Sequence, residues 1–192
     1  MKDGPVDALS GGFSAPSTQS AFAFRQILRA LSEPGVIVDL EGASPPAPLS
    51  AAAGALALTL LDGGTPVHLA GSLDCAALRN WITFHCGAPL CDAGSAAFAF
   101  GTWADLAPFD RFAIGLADYP DRSVTLIVEV PQLSATGYRL RGPGIETERF
   151  LSVPDAAPFQ ANRALFPQGF DAVFTCGNRL AGLPRTTIVE HA

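Results

Sequence analysis

Apolar residues recur at helical spacing in the first half of the chain. Residues 20–35 carry their large apolar side chains on one face and end at Pro34-Gly35, which predicts a helix. Residues 49–62 predict a second helix, and because it is apolar almost all round it should be buried. A third helix should run to about Phe84, with Ser72 or Asp74 as its N-cap. Between these helices, two β-branched runs predict strands at residues 36–40 and 66–70.

Strands dominate the second half. Residues 123–130, read as SVTLIVEV, form the clearest strand and are apolar enough to be buried on both faces. Residues 138–141 and 148–151 predict a hairpin around Gly142-Pro143-Gly144. Further strands are predicted at residues 96–100, 171–176 and 186–189, with a helical turn at residues 160–165 and irregular chain at residues 102–111.

This order of elements predicts the fold class. Helices alternate with strands first and strands follow, which favours a single α/β domain over residues 16–192, with a mixed sheet flanked by helices. Antiparallel pairing is expected toward the C-terminal end. Residues 1–15 are rich in Gly, Ser and Pro and are expected to be a flexible segment.

Composition narrows the classes of function. The 192 residues carry a net charge of −6, which argues against a nucleic-acid binder, because such proteins neutralise phosphates with a basic face. The N-terminus shows no apolar signal region, and the longest apolar stretch, residues 51–61, is far short of the roughly 18–20 residues that span a bilayer. Reduced cysteines and a cytoplasmic location are therefore expected.

The single lysine excludes several cofactor and nucleotide sites. Eleven of the twelve basic residues are arginine, and Lys2 lies at the N-terminus. A P-loop, a kinase strand lysine and a pyridoxal phosphate Schiff base each need a lysine inside the fold. The sequence therefore predicts no such cofactor.

Metal and nucleophile signals are weak. His68, His85, Cys86 and Cys91 lie close in sequence but lack the paired spacing of structural zinc sites, so core packing is the favoured interpretation. Cys86 or Cys176 with His85 as base stays open as a minor alternative for nucleophilic catalysis. The Gly142-Pro143-Gly144 run leads into no helix, so it is read as a turn and not as a dinucleotide fingerprint.

Arginines at strand entrances are the remaining candidates for chemistry. Arg122 precedes the most buried strand and Arg185 precedes the last one, each beside hydroxyl side chains that suit phosphate or carboxylate binding. The alternative is an arginine that pins a turn through an ion pair, with Asp121 as the expected partner. The candidate anion-binding residues are Tyr119, Asp121, Arg122, Ser123, Arg185 and Thr186.

Ordered motifs along nearly the whole chain resemble the PhnH family, one subunit of the bacterial carbon–phosphorus lyase core complex. None of these motifs is diagnostic alone, but their order is specific. They are Gly11-Gly12-Phe13, Ser32-Glu33-Pro34-Gly35, Phe84-His85-Cys86-Gly87, Tyr119-Pro120-Asp121-Arg122-Ser123, Leu140-x-Gly142-Pro143-Gly144, Phe166-Pro167-x-Gly169 and Leu183-Pro184-Arg185-Thr186-Thr187.

The resemblance implies a fold related to pyridoxal-phosphate-dependent transferases without the cofactor site. It also implies a homodimer that joins PhnG-, PhnI- and PhnJ-like subunits. The complete complex forms α-D-ribose 1-methylphosphonate 5-triphosphate from ATP and methylphosphonate, and its iron–sulfur chemistry belongs to PhnJ. The leading hypothesis is an accessory subunit with no activity of its own. Two alternatives stay open: a subunit that itself binds ATP or a phosphonate nucleotide and contributes catalytic groups, and an architectural protein with a vestigial cleft.

Overall fold

The helices lie mainly in the first half of the chain. The computed structural model describes residues 10–192, so Lys2 and most of the expected flexible segment lie outside the described residues. Three longer helices come first and two shorter ones follow: α1 (Pro16–Ser32), α2 (Ala51–Leu60), α3 (Ala76–Cys86), α4 (Trp103–Leu106) and α5 (Ala157–Arg163). Among these residues, no helix combines the length and the apolar character needed to cross a membrane.

Nine strands form two sheets in the described part of the chain. In order they are β1 (Ile37–Asp39), β2 (Val67–Leu69), β3 (Phe98–Thr102), β4 (Thr125–Glu129), β5 (Tyr138–Arg141), β6 (Arg149–Leu151), β7 (Asp171–Cys176), β8 (Arg179–Leu183) and β9 (Ile188–Glu190). The larger sheet has the order β1-β8-β7-β4-β3-β2 and is mixed: β2, β3, β4 and β7 are parallel, while β8 runs antiparallel to β7 and to β1. The predicted α/β class with a mixed sheet flanked by helices is confirmed.

The predicted hairpin forms, but in a separate sheet. Strands β5 and β6 pair antiparallel, and β9 pairs with the other edge of β5 to give a three-stranded sheet. The sequence predicted one sheet because alternation marks a strand without showing which neighbour it will pair with. Antiparallel pairing near the C-terminal end is confirmed.

Strand β4 lies between two hydrophobic clusters. Ile127 packs with the cluster built on α1, α2 and α3, whereas Leu126 and Val128 point to the opposite face. Side chains of a strand alternate between faces, so an uninterrupted apolar run needs a core on both sides. Helix α2 is buried over most of its length, as its apolar surface predicted.

Several local predictions were wrong for identifiable reasons. Neither Ser72 nor Asp74 caps α3, which begins after Cys75 without a side-chain cap, and Asp74 instead forms an ion pair with Arg79. The stretch expected to be irregular contains α4, whose first turn is capped by the Thr102 hydroxyl. Strand β8 was not predicted because it contains Ala181-Gly182, and glycine disfavours strands. A Cβ at Gly182 would lie 2.7 Å from the Ala30 carbonyl oxygen, so close packing of α1 requires the glycine.

Candidate functional site

Arg185 lies at the amino ends of β4 and β7 and holds an ion pair with Asp171. Its side chain is 12% exposed, and its backbone N–H also donates to Asp171 Oδ1 at 2.8 Å. Asp171 is the first residue of β7, so the pair fixes the segment before β9 to the start of a central strand. We call Arg185 and its acceptors the arginine clamp.

All five N–H donors of the Arg185 guanidinium have acceptors. Nε donates to Asp171 Oδ1 at 3.1 Å, and Nη2 donates to Asp171 Oδ2 and the Ser123 hydroxyl. Nη1 donates to the carbonyls of Pro120 at 2.8 Å and Pro167 at 3.5 Å. A guanidinium has five donors, so this one has none left for a ligand. The clamp joins three loops to each other and to β7.

Amide side chains reinforce the same loops. Asn162, at the end of α5, accepts from the Phe170 N–H and donates to the Phe170 carbonyl, both at 2.8 Å. Gln168 Nε2 donates to the Gly115 carbonyl at 2.9 Å. The loops at residues 114–123 and 165–170 are therefore held rigidly side by side.

Arg122 points away from the clamp to the surface. Its guanidinium carbon lies 4.2 Å from the centroid of the Tyr119 ring, a cation–π contact, and within residues 10–192 it has no ion pair. Asp121, its expected partner, is exposed and likewise makes no ion pair within those residues. The expected Arg–Asp pairing was therefore assigned to the wrong residues: Arg185 pairs with Asp171, and Arg122 stacks on a ring.

Exposed apolar side chains lie on the loop that carries the Tyr119–Arg122 stack and on the loop bonded to it. Leu116 is 57% exposed on the same loop, and Leu165 is exposed on the adjoining loop. We call Leu116, Tyr119 and Leu165 the apolar ridge. Sequence reasoning identified Tyr119 and Arg122 but missed the ridge, because an isolated leucine in a loop carries no signal of its exposure.

Thr186 lies apart from the clamp, beside a cleft of about 550 Å³. Its carbonyl oxygen accepts a 2.7 Å hydrogen bond from Arg163 Nη1. The cleft lies between the β5–β6 turn and α5, and is lined by Gly142, Pro143, Gln160, Arg163, Ala164, Phe166 and Thr186. Five of the six candidate anion-binding residues are thus divided among the clamp, the surface stack and this cleft, and the sixth, Asp121, is exposed outside all three.

The histidines and cysteines considered for metal binding or catalysis have structural contacts. His68 Nδ1 contacts the Cys91 carbonyl at 3.1 Å, and Cys86 donates weakly to the Ala57 carbonyl. Burial raises the pKa of the Cys86 thiol to about 11, so it is protonated and a poor nucleophile at neutral pH. Over residues 10–192, no three His, Cys, Asp or Glu side chains converge in a way that could hold a metal ion.

A partly buried carboxylate lies at the opposite, carboxyl end of β4. Glu129 Oε1 accepts from the Ser50 N–H at 2.8 Å, directly at the start of α2. Desolvation by burial raises the pKa of Glu129, and hydrogen bonds from Ser50 and Thr175 offset part of that rise. Glu129 thus lies at the end of the sheet where α/β folds commonly bind ligands.

Comparison with known proteins identifies relatives over the whole described chain. The family of bacterial phosphonate metabolism proteins called PhnH matches residues 11–190. The chain is 42% identical to the alpha-D-ribose 1-methylphosphonate 5-triphosphate synthase subunit PhnH of Rhizobium meliloti, covering 95% of this chain and 96% of that protein. It is 28% identical to HtxG of Stutzerimonas stutzeri, named as a C-P lyase subunit protein, over 99% of this chain and 94% of that protein.

Proposed function

This chain belongs to the PhnH family of bacterial phosphonate metabolism proteins, and on that premise we propose that it is a subunit of a carbon–phosphorus lyase core complex. In that role it assists formation of α-D-ribose 1-methylphosphonate 5-triphosphate from ATP and methylphosphonate. The observation that carries the proposal is the 42% identity, over almost the full length of both chains, to a subunit named for that synthase.

A contact role fits the surface better than a catalytic one. The arginine clamp uses its donors internally, and the loops it fixes present the apolar ridge to solvent. Tyrosine and arginine are enriched in the central part of protein interfaces, and the exposed leucines add apolar surface that a partner could cover. We assign the apolar ridge, with Arg122, to contact with another subunit of the complex.

The finer parts of the assignment follow from the family resemblance. We propose that PhnG-, PhnI- and PhnJ-like chains are the partners, that the chain also forms a homodimer, and that it works in the cytoplasm. We further propose that its α/β fold descends from that of pyridoxal-phosphate-dependent transferases. The missing internal lysine is consistent with a descendant that no longer holds that cofactor.

Direct ligand binding is the second candidate function, and the cleft beside Thr186 is the observation that favours it. Arg185 would then support the site through its loop contacts, because its own donors are all engaged. Arg122 keeps free donors at the surface and remains a proposed anion contact.

Co-purification from the native host tests the subunit role. A tagged chain should retain partner subunits, visible as a defined mass in native mass spectrometry, and its deletion should abolish growth on methylphosphonate as sole phosphorus source. Recovery of this chain alone, together with normal growth of the deletion strain lacking a second copy, would refute the proposal.

A matched pair of variants locates the contact. Leu116→Asp should reduce partner recovery, because it places a charge in the apolar ridge. Phe84→Asp is the control, since Phe84 is 58% exposed on α3, against 57% for Leu116. Equal recovery with both variants would remove the ridge from the interface while leaving the subunit role intact.

A further inference from the structure

The cleft between α5 and the β5–β6 turn has the size of a small-molecule site. Its volume of about 550 Å³ lies within the roughly 300–1,000 Å³ typical of ligand pockets. Three of the motifs quoted for the family resemblance meet here although they are separated along the chain: the Gly142-Pro143-Gly144 turn, the Phe166-Pro167 segment and Thr186 after Arg185.

Arg163 supplies the positive charge of the cleft. Its Nη1 donates to the Thr186 carbonyl at 2.7 Å, and within residues 10–192 it makes no ion pair. That one hydrogen bond orients the guanidinium while leaving most of its donors available. Arg185 differs completely, since its five donors are engaged. An oriented guanidinium with free donors suits two oxygens of a phosphoryl or phosphonyl group.

The remaining lining is mostly apolar and small. Phe166 is 60% exposed, and Pro143 and Ala164 add apolar surface. Gly142 has a φ of +132°, and a Cβ there would lie 3.1 Å from the Thr186 carbonyl oxygen, so the turn needs a glycine to pack closely against Thr186. An aromatic ring and a proline beside an arginine suit an organic anion better than a free inorganic ion.

Both anchors of the guanidinium are rigid. Arg163 directly follows Asn162, whose amide brackets Phe170, and Thr186 directly follows Arg185 of the clamp. Binding therefore needs little ordering of the chain, which favours affinity. The clamp thus fixes Thr186 and, through it, the Arg163 guanidinium in the neighbouring cleft.

We propose that this cleft binds an organic phosphate or phosphonate ester, with its phosphoryl oxygens on Arg163 and its organic part against Phe166 and Pro143. Gln160, whose Nε2 donates to the Val189 carbonyl at 3.0 Å, holds the opposite side of the cleft to β9. The choice of ATP as the first probe rests on the proposed function. The argument for a ligand site rests on the geometry of the cleft alone.

Titration calorimetry of the full chain tests the cleft with three probes: ATP, inorganic tripolyphosphate and methylphosphonate. ATP should bind, and tripolyphosphate should bind roughly tenfold or more weakly because it lacks an organic part. Methylphosphonate binding as tight as ATP binding would show that an organic part larger than a methyl group is not recognised, and it would overturn the assignment of an ester. Equal affinity for ATP and tripolyphosphate would reduce the site to a nonspecific charge effect and overturn the proposal.

Arg163→Gln should weaken ATP binding about tenfold or more. The matched control is Arg25→Gln, at an exposed arginine of α1 far from the cleft in sequence, which should leave ATP binding unchanged. Circular dichroism and the melting temperature verify that both variants fold. Equal losses in both variants, or no binding by the wild-type chain at millimolar ATP either alone or in the purified complex, would overturn the proposal.

The mass of the co-purified complex, measured together with ATP affinity, distinguishes failure of the ligand site from failure of the subunit role. Arg163→Gln should retain all partner subunits while losing ATP affinity. Loss of a partner with no ATP binding by the wild type would make the cleft a subunit contact and overturn the ligand site. An absent complex with intact ATP binding would instead refute the subunit role alone.

Discussion

The two ends of the parallel strands are closed by different chemistry. At the amino ends of β4 and β7, Arg185 and Asp171 neutralise each other and bind three loops. At the carboxyl end of β4, Glu129 is a single carboxylate that accepts the Ser50 N–H and has no ion pair in the described chain. One end holds a matched pair of charges, and the other holds one partly buried charge.

The two ends also differ from what an open α/β ligand site requires, which is N–H donors without acceptors. Open α/β sheets usually bind ligands at the carboxyl ends of their strands, often at a helix N-terminus. Here three of the N–H groups at the start of α2 already have acceptors: Ser50 donates to Glu129, Ala52 to the Gly177 carbonyl and Ala53 to the Ser50 hydroxyl. The cleft with a free guanidinium lies instead beside the smaller sheet.

Removing the guanidinium at the amino end should have the largest effect. Arg185→Met leaves Asp171 without its cation and the Pro120 and Pro167 carbonyls without a donor. We expect the free energy of unfolding to fall by about 3 kcal/mol, measured by urea denaturation. The double variant with Asp171→Asn should recover part of this loss. A fall in the free energy of unfolding no larger than that of a surface substitution would contradict the stabilising role of the arginine clamp.

A neutral contact at the same end should have a smaller effect. Asn162 is 4% exposed and makes two hydrogen bonds to the Phe170 backbone. Asn162→Ala leaves both backbone groups unsatisfied, so the free energy of unfolding should fall by about 2 kcal/mol in the same titration. Asn162→Asp keeps the acceptor for the Phe170 N–H, but it buries a carboxylate with an oxygen against the Phe170 carbonyl, so it should be at least as destabilising as Asn162→Ala.

Glu129, at the carboxyl end of β4, should make the free energy of unfolding depend on pH. Burial raises the pKa of Glu129 in the folded state, so above its ordinary value of 4.5 the folded chain retains a proton that the unfolded chain releases. The free energy of unfolding should therefore fall as pH rises from 4.5 through the raised value. Glu129→Gln should remove this fall, as measured by denaturation across pH 4–8 for both proteins. Parallel curves for the two proteins would contradict it.

The smallest effect on stability is expected at the surface. Arg122→Gln loses a cation–π contact on an exposed ring, so the free energy of unfolding should change by no more than about 0.5 kcal/mol. A change as large as that of Arg185→Met would show that Arg122 belongs to the clamp.

Much of the fold was predictable from the sequence because periodic apolar runs identify buried elements directly. Helix α2 was expected to be buried on most sides and strand β4 on both faces, and both expectations are confirmed. Strand β8 was missed because its Ala181-Gly182 reflects contact with α1 and not strand propensity.

The sequence predicted which two turns belong to the candidate site but not what their arginines do. The two turns with Arg122 and Arg185 do meet through the Arg185 contacts to Pro120 and Ser123. Their roles were not predictable, since the partner of Arg185 is Asp171, which is 14 residues away in sequence. No local pattern could have shown that Arg163 would keep free donors beside a cleft.

The sequence alone determined the alternation of elements, the absence of an internal lysine and the family to which the chain belongs. Those properties depend on residue identity and spacing along the chain. The tertiary structure decided which arginine has acceptors for all its N–H donors and which keeps donors for a ligand. A guanidinium donates to whichever oxygens the fold brings within about 3 Å of it. Here, segments far apart in sequence supply those oxygens to Arg185 and leave Arg163 with one.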